Sequence, residues 1–142
     1  MKYLTDYTGE KTTQLLDDLG VFFAFSNKQL EEQRKEGVEY VTLGAGTVCP
    51  KENCQKFIDG MDAIGAAGIA QDLAENGKKG VIQRELGNHE YCITQSIEHT
   101  VDALTGYGIT DDEIRAETGA YLDAYYKWEA EQEAKAEKEG SE

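Results

Sequence analysis

The chain has 142 residues, 39% hydrophobic and 9% aromatic, and 28 acids against 14 bases give it a formal charge of −14. A length of this order makes one domain that folds without a disulfide or a metal, and the aromatic share excludes wholesale disorder. A field this negative repels phosphate backbones and anionic membrane surfaces, so the expected partner is a basic protein, with no direct nucleic acid and no membrane.

Residues 1–9 read as a frayed terminus. A helix over 10–19 follows, with Leu15, Leu16 and Leu19 on one face and Gly20 as its stop. Residues 21–25 are short, aromatic and uninterrupted, the pattern of a buried strand. Ser26-x-x-Gln29 is a capping box opening a short charged helix over 27–35, in which Leu30 faces inward and which Gly37 ends. Residues 38–43 alternate as a half-exposed second strand. Two strands joined by one short helix suggest a small sheet, parallel if the helix crosses over.

Gly44-Ala45-Gly46 is a tight turn or bulge, and Pro50, the only proline, sits where a helix can begin. Cys54, Phe57, Ile58, Met61 and Ile64 fall at helical spacing, and Gly60, Gly65 and Gly68 either permit close helix contact or mark a break near Gly65. More helix runs to about residue 75, and Asn76-Gly77 is a turn. Val81, Ile82, Glu85, Leu86 and His89 line one face of the next helix. Another opens at Thr94 or Gln95, turns Ile97, Val101 and Leu104 inward, and closes at Gly106-Tyr107-Gly108. Thr110-Asp111-Asp112-Glu113 is a second capping box with acids suited to a helix N-terminus. It opens the clearest helix, on which Ile114, Tyr121, Leu122, Tyr125 and Trp128 form a stripe. Beyond Trp128 no apolar side chain is larger than alanine, and residues 111–142 hold eleven acids against four bases, half of the net charge. The expected fold is therefore α+β and predominantly helical: a two- or three-stranded sheet packed by five or six helices, with a long acidic C-terminal helix. Residues 1–128 make a single globular domain, and 129–142 an acidic helical extension or a disordered tail.

Three cysteines, no secretory signal at the N-terminus and no long apolar run point to the cytoplasm. Cys49-x4-Cys54 with His89-x2-Cys92 offers four soft ligands for a tetrahedral zinc site. Cys54 and His89, however, also fall on apolar helix faces, where they serve equally well as core. His89-Glu90-Tyr91-Cys92-Ile93 opens like the zinc-protease helix motif but has no second histidine at position 93. Cys92 as a nucleophile needs His89 or His99 as base, with no flanking pattern to support it. Gly44-Ala45-Gly46 is only half of a dinucleotide fingerprint. Each catalytic pattern lacks a required residue, so the reading is a non-enzyme without a cofactor. Asn88-His89-Glu90-Tyr91 interrupts a helix with large hydrogen-bonding side chains. It either ties the helix end to its neighbours or offers Asn88, Glu90 and Tyr91 as a recognition patch.

Three segments together resemble a known family: Phe22-Phe23-Ala24-Phe25-Ser26-Asn27-x-Gln29, then Leu43-Gly44-Ala45-Gly46, then Glu85-Leu86-x-Asn88-His89-Glu90-Tyr91-Cys92-Ile93-Thr94. Over roughly residues 15–130 the chain is similar to small proteins of unknown function from bacteriophages and mobile elements of gut Firmicutes. The resemblance implies a phage or mobile-element accessory protein acting in the host cell, and carries no activity or residue role. Small acidic proteins of such elements resemble anti-CRISPR and antirestriction factors. The expected function is then stoichiometric inhibition of a nucleic-acid-handling defence complex such as a CRISPR nuclease. Asp111, Asp112, Asp123, Glu129 and Glu133 would stand in for phosphates in a positively charged channel, and Tyr126 and Trp128 would add contact anchors. The alternative is a zinc-stabilised Cys/His module, or a regulatory interaction module with no defence role.

Overall fold

The computed structural model describes residues 1–140. Among them are α1 (Leu4–Leu19), β1 (Phe22–Phe23), α2 (Asn27–Gln33), β2 (Tyr40–Thr42), β3 (Thr47–Pro50), α3 (Cys54–Asn88), α4 (Tyr91–Thr94), α5 (Glu98–Leu104) and α6 (Asp111–Gly140). The fold is α+β and predominantly helical, with six α-helices and a three-stranded sheet. The chain divides into two compact units, Lys2–Gln71 and Met1 with Asp72 onward.

In residues 2–71 the helix begins earlier than the frayed terminus expected from the sequence. Asp6 accounts for this: its carboxylate accepts the Tyr3 backbone N–H at 2.7 Å, satisfying a donor that a free helix start leaves open. Gly20, at φ 71°, ends α1 in the left-handed conformation. The sheet is antiparallel throughout, in the order β1-β3-β2, not parallel. The missing element was β3, which occupies the segment read as a turn and a helix start. Gly44, Ala45 and Gly46 all have positive φ, and the chain reverses there so that Leu43 N–H donates to Thr47 O at 2.9 Å. β3 then lies in the middle, with Phe22 opposite Val48 on one side and Val41 opposite Cys49 on the other. Residues 48–50 are buried.

Because the reversal at residues 44–46 builds the sheet, α2 need not cross over. Ser26 Oγ accepts the Gln29 N–H at 3.2 Å, as the capping box requires, while Gln29 Oε1 reaches back to Phe25 N–H at 2.7 Å. Gly46 is held by contact as well as by φ, since a Cβ there would run into the Phe25 ring. Of the two readings of the α3 glycines, close contact holds and the break near Gly65 does not: a Cβ at Gly60 would run into Leu15, and one at Gly68 into Thr8. A glycine costs a helix about 1 kcal/mol without stopping it, and the flanking turns continue through Gly65.

From Asp72 onward the core is helical: Val81, Ile82 and Leu86 of α3, Leu104 of α5, Ile109, and Ile114 of α6 are all buried. Asn76-Gly77 does interrupt α3, with Gly77 at φ 71°, ψ 162°. The helix expected to open at Thr94 or Gln95 opens instead at Glu98. The preceding residues form the single turn α4 between Glu90 and Gln95, two non-glycine residues at φ 54° and 53°. Thr110 caps α6 by accepting the Glu113 N–H at 3.2 Å. The helix continues through Gly140, and residues 129–140 are exposed along its whole last stretch. Ser141 and Glu142, the end of the expected extension, lie outside the described residues. No described helix is long and apolar enough to cross a membrane.

Candidate interaction surface

The site rests on a buried ionic network within residues 72–140. Arg84, its side chain 4% exposed, forks onto the fully buried Asp72 carboxylate at 2.8 and 3.0 Å and donates through Nε to Glu85 at 2.9 Å. The Tyr107 hydroxyl donates to Asp72 at 2.5 Å, and Asn76 Nδ2 donates to it at 2.8 Å. Burial alone would raise the Asp72 pKa. Hydrogen bonds from Arg84, Tyr107 and Asn76, with the guanidinium charge, outweigh it and hold the carboxyl below its ordinary 3.8. Burial likewise opposes the Arg84 charge, but Asp72 and Glu85 overcome this and hold the guanidinium more firmly protonated than usual. Burial, followed by the Asp72 hydrogen bond, pushes Tyr107 up to about 12. A bidentate pair with every remaining lone pair engaged is the arrangement that makes buried charge tolerable. It fixes the second half of α3 against the turn after α5. Lys78 pairs with Glu113 at 2.7 Å and Gln83 donates to the Glu117 carbonyl at 3.0 Å, which seats the start of α6 on the same helix.

On this base sits an open groove of about 550 Å³, lined among others by Tyr91, Glu98, Asp102, Asp111 and Arg115. An aromatic row leads away from it. Tyr91 meets Tyr121 edge-on at 6.1 Å, Tyr121 stacks on Tyr125 at 6.4 Å, and Tyr125 touches Tyr126 at 5.8 Å and Trp128 at 6.0 Å. Burial and a hydrogen bond with Cys92 push Tyr121 up to about 12. A hydrogen bond with Glu129 raises Tyr125 most, with Cys92 next. At the far end Tyr126 and Trp128 are 51% and 55% exposed. Tyr121 and Tyr125 of this row fall in an i, i+4 strip on α6 with Glu113, Glu117, Glu129, Glu133 and Glu137, while Tyr126 and Trp128 lie to either side of it. Carboxylates thus flank the aromatics at both ends.

A family model matches residues 4–128, and its family, DUF7659, is one of unknown function. The chain belongs to the DUF7659 family. Neither curated proteins nor solved structures give a match. The match in this DUF7659 chain takes in the ionic network, the groove and the aromatic row, and it stops at Trp128, before Glu129 and Glu133.

Of the residues singled out from the sequence of this family member, Tyr91 and Asp111 line the groove, and Tyr126, Trp128 and Glu129 lie at the aromatic end of α6. Asp112, Asp123 and Glu133 are exposed on the same helix. Asn88 and Glu90 are exposed where α3 gives way to α4. Asn88 Nδ2 donates to Glu85 at 3.4 Å, whereas Glu90 holds the left-handed bend. His89 belongs to the network: its buried Nε2 lies 3.3 Å from Glu85 Oε2 without making a hydrogen bond, and its ring stacks on His99 at 6.0 Å. The four zinc candidates are not drawn into a ligand set, and among the described residues no group of three or more His, Cys, Asp or Glu could hold a metal. Cys49 and Cys54 belong to the unit of residues 2–71, and His89 and Cys92 to the other. Cys49 is fully buried in β3 with its thiol pushed up by burial, and Cys92 is engaged by Tyr121. Asp72, Arg84 and Tyr107 went unseen in the sequence. The one available signal was Arg84-Glu85, a charged pair set between Val81-Ile82 and Leu86 on a helix that buries all three.

Proposed function

We propose that this protein works by stoichiometric binding to a basic protein that handles nucleic acid, laying α6 where a phosphate backbone would otherwise run. The observation that carries the reading is the strip on α6. Glu129, Glu133 and Glu137 project from an exposed helix at i, i+4 spacing, a rise of about 6 Å each. That is close to two 3.4 Å base-pair steps along a DNA strand. Oppositely charged surfaces steer association and fix register, and Tyr126 and Trp128 are the residue types that anchor interfaces. The sequence resemblance to phage and mobile-element accessory proteins makes a defence complex of the host cytoplasm the target class, with an RNA-guided nuclease and its positively charged channel as the type case.

The test is a titration of the protein against such a nuclease loaded with guide, reading target cleavage over a series of salt concentrations. Replacing Asp123, Glu129 and Glu133 together by their amides should weaken inhibition and flatten its salt dependence. These side chains are exposed, so the fold is retained. A triple variant that inhibits with unchanged affinity and salt slope would sink the mimicry.

A further inference from the structure

We propose that the aromatic row on α6 is a docking track for an arginine-bearing polypeptide segment. The inference rests on reading α6 as a surface for basic proteins, and it adds what holds the partner besides net charge. Tyr126 and Trp128 present about half of their surface to solvent, yet both are packed against Tyr125. Contact with Tyr125 restricts both rings before any partner arrives, which lowers the ordering cost of binding. From Tyr121 to Glu133 the helix carries four carboxylates, Asp123, Glu129, Glu131 and Glu133, against the single base Lys127. Ring faces with acids beside them attract cations. Of the two cationic side chains, arginine gains more, because its planar guanidinium stacks on a ring while still donating to a carboxylate. The same charge pattern disfavours a phosphate ligand, and it disfavours a second copy of a chain that already carries −14.

The geometry also fits a chain rather than a single side chain. Residues 121–133 span about 18 Å of helix axis at 1.5 Å per residue, the reach of some five or six extended residues at about 3.3 Å each. At the other end Tyr91 joins the row to the groove, which Glu98, Asp102 and Asp111 line together with one base, Arg115. A basic segment following α6 thus meets carboxylates, then rings, then carboxylates again.

Trp128 is the only tryptophan in the chain, so its emission reports on the row directly. Fluorescently labelled nine-arginine and nine-lysine peptides titrated with the full chain near physiological salt should show the arginine peptide binding about tenfold more tightly. Saturation should shift the Trp128 emission. Trp128→Ala and Tyr126→Ala, both at exposed positions, should each weaken the arginine peptide by about threefold to tenfold, weaken the lysine peptide less, and leave the salt slope unchanged. Circular dichroism confirms that the variants are folded. Equal affinity for the two peptides, a silent Trp128, indifference to both ring variants, or no binding of either peptide overturns the track. If the rings prove indifferent but the Asp123/Glu129/Glu133 amide variant still loses both peptides, the acidic surface stands and only the track falls. If that amide variant binds both peptides normally, the electrostatic reading of α6 fails whatever the rings show.

Discussion

Residues 2–71 and residues 72–140 bury different chemistry. In the first unit the deepest side chains include Val48, Cys49 and Pro50 of the central strand β3, and none of them carries a charge at neutral pH. In the second, Asp72 and Glu85 are buried among Val81, Ile82, Leu86 and Leu104, held by the Arg84 guanidinium and the Tyr107 hydroxyl. A core of the first kind asks only for shape. One of the second kind asks in addition that every charge keep its partner, because an orphaned ion in the interior costs far more than a lost methyl. What the second unit gains is direction. A fork of two hydrogen bonds fixes the angle of α3 against the turn after α5, and the groove and the aromatic row sit on that frame.

The largest way to break the contrast is to take away the cation. Arg84→Met leaves two buried carboxylates facing each other's neighbourhood without compensation, and should lower stability by about 3–5 kcal/mol. Urea unfolding followed by circular dichroism measures the loss. Hydrogen exchange should show it in the amides of residues 72–140, with those of β3 keeping their protection. Adding Asp72→Asn to the arginine variant should restore part of the loss, since the buried charge that caused it is gone. A loss below about 1 kcal/mol would mean that the network is not what holds this unit.

pH separates the two units by a smaller effect. Tyr107 has a folded pKa raised to about 12 from an ordinary 10.0, so the folded state holds its proton more tightly than the unfolded chain does. Its contribution is fully present below pH 10 and is lost as pH rises toward 12, up to about 3 kcal/mol for a shift of this size. Asp72 works in the opposite window. Its folded pKa lies below 3.8, so its contribution is present above that value and is lost as pH falls below it. Stability of residues 72–140 should therefore be level across the neutral range and fall on the alkaline side. Tyr107→Phe should forfeit about 1 kcal/mol at neutral pH and remove much of the alkaline slope. Tyr121, also pushed to about 12, keeps a share of it. An unchanged slope between pH 9 and 12 would remove Tyr107 from the account.

The two units were also unequally legible. The stripe on α6 came through only in part, with Ile114 buried, Tyr121, Leu122 and Tyr125 half-buried, and Trp128 55% exposed. Signals carried by a few adjacent residues came through in both units: the capping boxes at Ser26 and Thr110, the stop at Gly20 and the break at Asn76-Gly77. Each of these is decided by local backbone chemistry. The strand β3 was lost because Thr47-Val48-Cys49-Pro50 is too short to show a period, and because proline in a strand argues against one. Here Pro50 ends the strand opposite Tyr40. The parallel sheet followed from that omission. The ionic network was invisible for a different reason. Asp72 is 12 residues from Arg84 and 35 from Tyr107, and in a chain with 28 acids no single aspartate stands out. On α6 the acids and aromatics were readable, but the row from Tyr91 through Tyr121 to Trp128 needed the fold to bring α4 against α6.

The last test takes the other unit on its own terms. Val48 is 3% exposed, and its strand neighbours are Phe22 on one side and Thr42 on the other. Val48→Ala removes two methyl groups, worth about 0.8 kcal/mol each, and leaves a small void, for a loss of about 2 kcal/mol. The size matters less than its independence from pH. The transfer of a methyl group involves no proton, so the difference between Val48→Ala and the parent should stay constant from pH 5 to pH 8, below the range in which the neighbouring buried Cys49 thiol ionises, while the loss caused by Arg84→Met changes wherever Asp72 or Tyr107 titrates. Exchange protection should fall around β3 and hold at Val81, Ile82 and Leu86. A Val48→Ala deficit that grew with pH within that range would show that the sheet depends on buried charges as the helices do, and the contrast between the two units would fail.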